Sequence, residues 1–353
     1  MLRPIPSEPR RILIVRLGSL GDVARVLPAL AGLKARFPEA DIDWVVQKKA
    51  AALLEGHPQL DRVFVVPFRR WREVASRPGR ELVRAMRARR YDLVLDFQGS
   101  MKGTFAALLG GGRAARVGWV PGHAEEGTWL LFHGHRRPPG HRVNRHLRYR
   151  CLVDWLGAPD VPPVLPPFDE GDRAPVDRFL AERADLPRPW VLAYPWTSAP
   201  GAHRRWDPAR MGRAAEGIAE RTGGTVLVGW GPAEEEEARV MAGAVPRAVL
   251  APPTTVRGLA YLLRNCDLFV GMNTGPMHLA ALVGTPVLGI FGDRTDPRLH
   301  APLEWHAPVR VIATDGAREL RSRERRGLGP FEWPEPEVVV EAAVEMLERR
   351  PRR

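Results

Sequence analysis

The chain has 353 residues, of which 44% are hydrophobic and 27% are charged, and its formal net charge is +12. This length exceeds what one hydrophobic core usually supports, so it predicts two domains of ordinary globular composition. No run approaches the ~20 apolar residues of a membrane span, and the start MLRPIPSEPRR lacks the apolar stretch of a signal peptide. Two distant cysteines, Cys151 and Cys266, favour neither a disulfide framework nor a metal site. We therefore expect a cytoplasmic protein.

Short apolar runs typical of strands alternate with longer helical patterns along the chain. The first half contains RILIVRL, IDWVVQ, RVFVVPF and YDLVLDF, and the second half contains WVLAYPW, GTVLVGW, LFVGMNT and TPVLGIF. Continuous apolar strands are those buried on both faces of a parallel sheet. The order strand, helix, strand occurs twice over, so we predict an α/β protein with two doubly wound, Rossmann-like domains whose strands end at a common cleft.

A proline-rich, polar stretch at residues 157–190 separates the two series and is typical of a linker followed by one entry helix. It predicts domains at residues 1–165 and 166–353. A final helical pattern begins with prolines and acids and ends in arginines, as suits the helix dipole. This last helix belongs in sequence to the second domain, and packing back on the first domain is the alternative left open.

The first strand runs into a glycine-rich turn that carries a carboxylate. Gly18, Gly21 and Asp22 have the spacing G-x-x-G-D rather than the G-x-G-x-x-G of dinucleotide folds. The second strand ends in Gln47 instead of a ribose-binding acid, which also disfavours a nicotinamide enzyme. The glycines let a ligand approach the backbone, and the helix start favours negative charge. Asp22 is therefore a candidate general base, and a helix N-cap is the structural alternative.

The positive charge is concentrated in the first half of the chain. Residues 1–156 contain 28 Lys and Arg against 14 Asp and Glu, whereas the remainder contains 25 against 27. Nine arginines fall in residues 69–90, against Glu73 and Glu81. Such a stretch suits nucleic acid, an anionic membrane surface or an acidic substrate, and a solvated helix face is the alternative.

Two later segments of the first half contribute candidate ligand contacts. YDLVLDFQGSMKG repeats the strand-to-helix design, with Asp96 at the strand end, Gln98 in the turn and Lys102 on the helix. Each side chain suits a polyhydroxylated or phosphorylated ligand. HRVNRHLRYR, residues 141–150, is predicted to be an anion-facing or surface segment.

The most informative stretch of the second half is LFVGMNTGPMHLAALVGTPVLGIFG, residues 268–292. A buried strand runs into Asn273, Thr274 and Gly275, and a helix begins immediately afterwards. Free backbone N–H groups at such a helix start form a site for a diphosphate. His278, one turn into the helix, is either part of that site or a packed core histidine.

Two further strand ends supply candidate contacts to the same phosphates. Thr197, Ser198 and Arg204 follow WVLAYPW, and hydroxyl and guanidinium groups suit phosphate oxygens. The four glutamates of VGWGPAEEEEARV follow the next strand. One of them suits ribose hydroxyls, and the others are typical of the first turn of a helix.

Together these segments resemble glycosyltransferase family 9, the bacterial lipopolysaccharide heptosyltransferases, and most of all its heptosyltransferase I branch. The matching segments are ILIVRLGSLGDVARVLPAL, DWVV, YDLVLDFQGSMKG, RRWDP, GWGPAEEEEAR and GMNTGPMHLAALVGTPVLGIFG, in the right order over most of the chain. The resemblance implies a GT-B fold and inverting transfer of heptose from ADP-heptose to Kdo of the lipid A inner core, with no metal or other cofactor. It also implies a location at the cytoplasmic face of the inner membrane.

The resemblance further implies roles for particular residues. By position, Asp22 matches the family's catalytic base, Arg204 a lysine near the donor phosphates, and Glu235 the acid that contacts ribose. The other predicted donor-binding residues are Thr197, Ser198, Asn273, Thr274, Gly275 and His278. The predicted acceptor-binding residues are Gly18, Ser19, Gly21, Arg69, Arg84, Gln98 and Lys102. The family usually has aspartate where this chain has Asn273, an amide that keeps hydrogen bonding but lacks the charge, so the donor sugar remains open.

Three functions are compatible with the sequence. The first is heptose transfer, with ADP-heptose, a Kdo-lipid A acceptor and an anionic membrane surface as partners. The second is a related enzyme, for instance one like heptosyltransferase II, with another nucleotide sugar or acceptor. The third is a nucleic-acid-binding protein, but the chain lacks recognised modules and aromatics interleaved with its arginines, so no nucleic-acid partner is predicted.

Overall fold

The computed structural model describes residues 4–67, 71–132, 134–138, 140, 142–197, 205–318 and 332–349. The chain forms two compact units, residues 1–167 and 168–353, where the sequence predicts a division at 165/166. Each unit is built on a parallel sheet of six strands.

The first unit has the strand order β3-β2-β1-β4-β5-β6. Its strands are β1 (Arg11–Val15), β2 (Asp41–Gln47), β3 (Arg62–Val66), β4 (Leu93–Asp96), β5 (Ala115–Trp119) and β6 (Gly134–Arg136). The central strands are continuous apolar runs because helices cover both faces, and Ile12 to Val15 of β1 are all fully buried.

Helices cover the two faces of this sheet. They are α1 (Leu20–Arg36), α2 (Lys48–Ala51), α3 (Arg77–Ala88), α4 (Met101–Gly111) and α5 (Arg145–Asp154), with short 3₁₀ helices at Trp71–Ala75 and Thr128–Leu131. The strand order reverses after β3, so right-handed crossovers place α1 and α3 on opposite faces. α5 packs on α1, whereas α4 packs on α3 and contacts the second 3₁₀ helix.

A buried charge network ties α3 to the sheet. The Asp43 carboxylate in β2 is fully buried and accepts hydrogen bonds from Arg89 Nε and Tyr91 Oη, each at 2.7 Å. Arg89 Nη2 also lies 3.2 Å from Asp41 Oδ2. Burial and then the charge of Asp43 raise the pKa of Tyr91, so its hydroxyl stays protonated and donates. The network holds the C-terminal end of α3 at the edge where the strands begin.

The second unit has the strand order β12-β11-β10-β7-β8-β9. Its strands are β7 (Trp190–Tyr194), β8 (Thr225–Val228), β9 (Ala248–Leu250), β10 (Leu268–Met272), β11 (Val287–Phe291) and β12 (Val309–Ala313). Its helices are α6 (Glu170–Glu182), α7 (Pro208–Thr222), α8 (Glu235–Ala244), α9 (Val256–Asn265), α10 (Gly275–Leu282), α11 (Pro297–His300) and α12 (Pro336–Glu348). The last helix, α12, packs on α7 of the same unit.

The sequence patterns predict β1 to β4, β7, β8, β10 and β11, and all of these strands form. They miss β5, β6, β9 and β12. Of these, β6, β9 and β12 are edge strands, which are covered less completely and need no continuous apolar run. None of the helices in the described ranges combines the length and apolar character that crossing a bilayer requires.

Candidate active site

The predicted site residues follow the two central strands of each sheet. Numbered within its own unit, each sheet has the order 3-2-1-4-5-6, so the connections diverge on either side of β1/β4 and of β7/β10. Such switch points leave a crevice at the carboxyl ends of the strands, where doubly wound proteins bind ligands. Asp22 and Gln98 follow β1 and β4, whereas Thr197 and Asn273 follow β7 and β10. These residues therefore lie at the ligand-binding edge of their own units.

Two guanidinium groups hold the Asp22 carboxylate. Its Oδ2 lies 2.6 Å from Arg16 Nη2, and its Oδ1 lies 3.0 Å from Arg25 Nη1. The N–H and Oγ of Ser19 both donate to Oδ2 at 3.2 Å, and Tyr149 Oη donates to Oδ1 at 3.4 Å. The Asp22 side chain is still 18% exposed, although both arginines are buried. A ligand can therefore reach a carboxylate that is fixed in one orientation.

These contacts keep Asp22 ionised. Burial by itself would raise the pKa of this carboxyl, but the charges of Arg16, Arg25 and Arg145 hold that pKa well below its usual range. A carboxylate with so low a pKa is a weak base. It can take a proton only from a hydroxyl that becomes acidic while its new bond forms.

The helix start fixes where the Asp22 side chain lies. α1 begins at Leu20, and Ser19 is its N-cap. Asp22 is the third helical residue, and its Oδ2 accepts the N–H of the N-cap, as in a capping box. The structural alternative, with Asp22 itself as the N-cap, is therefore wrong, although the side chain does help to close the helix start.

Arg16 links the turns that follow β1 and β4. Besides its contact with the candidate base, it donates from Nη1 to the carbonyl oxygen of Phe97 at 2.9 Å. Asp96, at the end of β4, accepts the N–H groups of Gln98 at 2.8 Å and Gly99 at 3.2 Å. Burial raises the pKa of Asp96 to about 6. Because Asp96 is buried and bonded to its own turn, it shapes the crevice rather than facing it.

Most of the other acceptor candidates lie in these same turns. Gly18 is partly exposed and Gly21 is buried at the start of α1. The Gln98 side chain accepts the N–H of Leu17 at 3.1 Å through Oε1, which fastens the β4 turn to the β1 turn. These residues and Ser19 are brought together around Asp22.

The remaining acceptor candidates are Lys102, Arg84 and Arg69. Lys102 is half-buried in the first turn of α4. Arg84 is exposed on α3 and is not part of the cluster around Asp22. Arg69 lies outside the described residues.

Helix α5 completes the cluster around Asp22, and this contribution of α5 is not predicted from the sequence. Residues 141–150 are predicted to face an anion or solvent, but His146 and Tyr149 are buried and α5 packs on α1. Burial, and then the charge of Arg25, lower the pKa of His146 to about 3, so its ring is neutral. The spacing of Asp22 and Arg25, three residues apart on a helix, is a sequence signal for that ion pair. No comparable signal indicates that α5 packs on α1.

In the second unit, the turn after β10 has the form that a diphosphate site requires. Thr274 is the N-cap of α10, which begins at Gly275, and Asn273 lies just before it. Thr274 Oγ1 donates to the carbonyl oxygen of Met272 at 3.3 Å. The first N–H groups of a helix have no partners within it, so they are available to an anion at this edge. His278 is buried in the first turn, as the core alternative predicts.

A charged cluster lies after β7 and β8. Arg205 Nη2 is 3.6 Å from Glu234 Oε1, and Arg205 Nη1 is 3.3 Å from Glu237 Oε2. Arg205 Nη2 also donates to the carbonyl oxygen of Thr197 at 3.3 Å. In the described part of the chain, the buried Thr197 Oγ1 has no hydrogen-bond partner. This cluster joins the two strand ends at which donor contacts are predicted.

The four glutamates differ in their surroundings. Glu234 is buried beside Arg205, whereas Glu235 is exposed and pairs with Arg239 at 2.8 Å along α8. Two other donor candidates, Ser198 and Arg204, lie outside the described residues. Within the described ranges, no group of three or more His, Cys, Asp or Glu side chains could hold a metal ion.

Comparison with known proteins places this arrangement in a family. Residues 79–325 match the model of glycosyltransferase family 9 (heptosyltransferase). Lipopolysaccharide heptosyltransferase 1 of Pseudomonas aeruginosa is 31% identical over 288 residues, which cover 80% of this chain and 78% of that protein.

Solved structures share the fold. The Escherichia coli heptosyltransferase WaaC with ADP is 25% identical with a TM-score of 0.70, and the match covers 95% of this chain and 99% of that one. A glycosyltransferase family 9 structure from Veillonella parvula is 19% identical with a TM-score of 0.78, covering 97% and 98%. Two parallel sheets with these neighbours confirm the predicted GT-B fold. The family match over most of the chain and the Pseudomonas aeruginosa relative show that this chain belongs to glycosyltransferase family 9, the heptosyltransferases.

Proposed function

We propose that the chain transfers heptose from ADP-heptose, with inversion at the anomeric carbon, to a Kdo residue of the lipid A inner core. The observation that carries this proposal is Asp22, a partly exposed carboxylate fixed by two arginines at the switch point of a family 9 glycosyltransferase. Two relatives support it, because one is named a lipopolysaccharide heptosyltransferase and the other was solved with ADP. The acceptor is lipid-bound, so we place the enzyme at the cytoplasmic face of the inner membrane.

In this proposal the first unit binds the acceptor and supplies the base. The acceptor hydroxyl attacks the anomeric carbon, the bond from that carbon to the diphosphate breaks, and the hydroxyl proton passes to Asp22. Because Arg16 and Arg25 lower the pKa of Asp22, proton transfer lags behind cleavage of the sugar–phosphate bond. The same arginines hold the carboxylate in place, so they act as positioning residues.

The second unit binds the nucleotide. The backbone N–H groups in the first turn of α10, directly after Thr274, are suited to the departing diphosphate. The hydroxyl of Thr197 and the guanidinium of Arg205 are suited to it as well. Arg204 is proposed to contact the same phosphates. The nearest buried acid beside this cluster is Glu234, so we propose it alongside Glu235 for the ribose hydroxyls.

A related donor sugar is the second candidate, and Asn273 is the observation that favours it. This residue directly precedes the N-cap of α10, where the family usually has a carboxylate. A neutral amide donates as well as accepts hydrogen bonds, so it suits a different pattern of sugar hydroxyls.

ADP is expected to stabilise the protein more than UDP or GDP does. A nucleotide that binds only the folded chain adds about 2.7 kcal/mol of stability at 100 times its Kd, which raises the melting temperature by several degrees. Thermal denaturation at equal nucleotide concentrations measures this. Equal stabilisation by all three nucleotides would contradict the donor assignment, and preference for UDP or GDP would establish the second candidate.

Replacing Arg25 with methionine is expected to move the acidic limb of the kcat/KM profile to higher pH. Asp22 acts in its ionised form, so activity is lost as pH falls through its pKa. Loss of one neighbouring cation raises that pKa, and the loss of activity therefore begins at a higher pH than in the wild type. Because the pKa of Asp22 lies well below its usual range, the wild-type profile is expected to stay flat down to about pH 4. Profiles recorded from about pH 3 to pH 8 test for an earlier loss in the variant. Arg36→Met, in the last turn of α1, is the control, and an acidic limb that stays in place in Arg25→Met would refute the coupling.

A further inference from the structure

One surface of the first unit has no part in the proposed chemistry. α3 carries exposed arginines along its outer side, and together with α4 it forms a groove of 660 Å³. The walls of this groove include Arg80, Arg84, Arg87, Arg90, Val83 and Leu109. Close packing of the two helices brings these residues together, because Gly110 of α4 lies against Met86 of α3 with no room for a Cβ.

The cationic charge of this groove is largely uncompensated. Glu81, the acid on α3, pairs with Arg77 at 2.9 Å, outside the groove. Arg87 Nε donates to the carbonyl oxygen of Leu109 at 2.7 Å, which holds its guanidinium along the groove without neutralising it. Arg84 and Arg90 are exposed, and the ion pairs found in the described part of α3 and its C-terminal end are those of Arg77 and Arg89. Four like charges on one groove attract an anionic partner.

Exposed apolar side chains lie on α4 and on the 3₁₀ helix that contacts it. Phe105 is on the same face of α4 as Leu109, one turn earlier, and is 39% exposed. Leu130 and Leu131, on the 3₁₀ helix that contacts α4, are 69% and 42% exposed. We call these three residues and the groove the α3–α4 surface. Arginines next to exposed leucine and phenylalanine are the combination that binds an anionic bilayer interface.

The α3–α4 surface is separate from the crevice of the first unit. The C-terminal end of α3 lies where the strands begin. The Arg89 side chain there binds Asp43 near the start of β2, and the Arg89 carbonyl oxygen accepts a hydrogen bond from Arg11 Nη1 at 3.2 Å. Asp22 lies at the opposite edge, after the end of β1. A bilayer on the α3–α4 surface therefore leaves the crevice open to a sugar.

We propose that the α3–α4 surface docks the first unit on an anionic bilayer, with the groove arginines on lipid phosphates and Phe105, Leu130 and Leu131 in the interface. This rests on the proposed function, whose acceptor is membrane-bound. A nucleic acid fits the surface less well, because exposed leucines gain nothing from a phosphate backbone, and single strands bind through several stacking aromatics. The lipid headgroups supply the phosphates, and the apolar part of the interface accommodates the exposed apolar side chains.

Co-sedimentation with vesicles tests the surface directly. The full chain is expected to bind vesicles of phosphatidylcholine mixed with phosphatidylglycerol, and to bind pure phosphatidylcholine vesicles far more weakly. Each groove arginine contributes about fivefold to binding, so the triple variant Arg80→Gln, Arg87→Gln, Arg90→Gln is expected to bind the anionic vesicles about 100-fold more weakly. The double variant Phe105→Ser, Leu130→Ser is expected to reduce binding even at high salt, where the arginines are screened.

A charge-matched variant and a soluble acceptor separate docking from catalysis. Arg178→Gln, Arg183→Gln, Arg213→Gln removes the same charge from exposed positions of the second unit and is expected to bind vesicles as the wild type does. Transfer to a water-soluble, lipid-free Kdo saccharide is expected to be unchanged in the groove variant. Equal vesicle binding by both triple variants would overturn the proposal, as would retention on DNA without vesicle binding. Vesicle binding by an enzyme that transfers no heptose would leave the docking surface standing and remove the proposed function.

Discussion

Asp22→Asn is expected to fold and to bind ADP, but to transfer heptose at least ~100-fold more slowly than the wild type. The amide keeps the size of the side chain and one oxygen acceptor for Arg16 or Arg25, so the crevice keeps its shape. It cannot take the proton of the acceptor hydroxyl. Single-turnover transfer rates, measured beside the stabilisation by ADP, distinguish loss of the base from loss of the donor site.

Asp22→Ala is a less specific change, and it shows why asparagine is the better test. Both substitutions remove the counter-charge of the buried Arg16 and Arg25, but alanine also removes the oxygen acceptor that asparagine keeps for one of them. Removing one partner from a buried ion pair costs about 3 to 5 kcal/mol. We therefore expect both variants to lose stability, and Asp22→Ala to lose more than Asp22→Asn. Near-normal turnover by Asp22→Asn would refute the assignment of Asp22 as the base.

Asp43→Ala is expected to destabilise the first unit by about 3 kcal/mol. The substitution leaves the Tyr91 hydroxyl without its acceptor and removes the buried partner of Arg89. Amide hydrogen exchange measured on peptides from β1 and β2 reports the opening of this unit alone. A loss of this size corresponds to exchange more than about 100-fold faster.

Asp41→Ala is the matched control for that measurement. Asp41 also pairs with Arg89, but its side chain is 40% exposed, and exposed pairs contribute less than about 1 kcal/mol. The two substitutions remove the same charge from the same strand and differ in burial. Equal acceleration of exchange in both variants would show that the buried network does not determine the stability of this unit.

Much of the fold is predictable because its central strands are buried on both faces. The runs ending at Val15 and Asp96 are continuous and apolar, and parallel strands of this kind lie at the centre of doubly wound sheets. Once the strands are placed, the residues that follow them must lie at one edge of the sheet. The positions of Asp22, Gln98, Thr197 and Asn273 at the switch points follow from this rule.

The surroundings of these residues are less predictable because they depend on tertiary packing. Tyr149 is more than a hundred positions from Asp22, and only the packing of α5 on α1 brings them together. The arginine-rich stretch at residues 69–90 is predicted to suit nucleic acid, an anionic membrane surface or an acidic substrate, with a solvated helix face as the alternative, but the sequence does not show that α3 runs toward the strand beginnings.

The most direct test of the account is one incubation of the purified protein with ADP-heptose and a Kdo-bearing lipid A acceptor, followed by mass spectrometry, with Asp22→Asn in parallel. We predict one added heptose with the wild type and a much slower appearance of this product with the variant. No product from the wild type, in a preparation that ADP still stabilises, would contradict the proposed sugar or acceptor. Product at equal rates from both proteins would contradict the proposed role of Asp22.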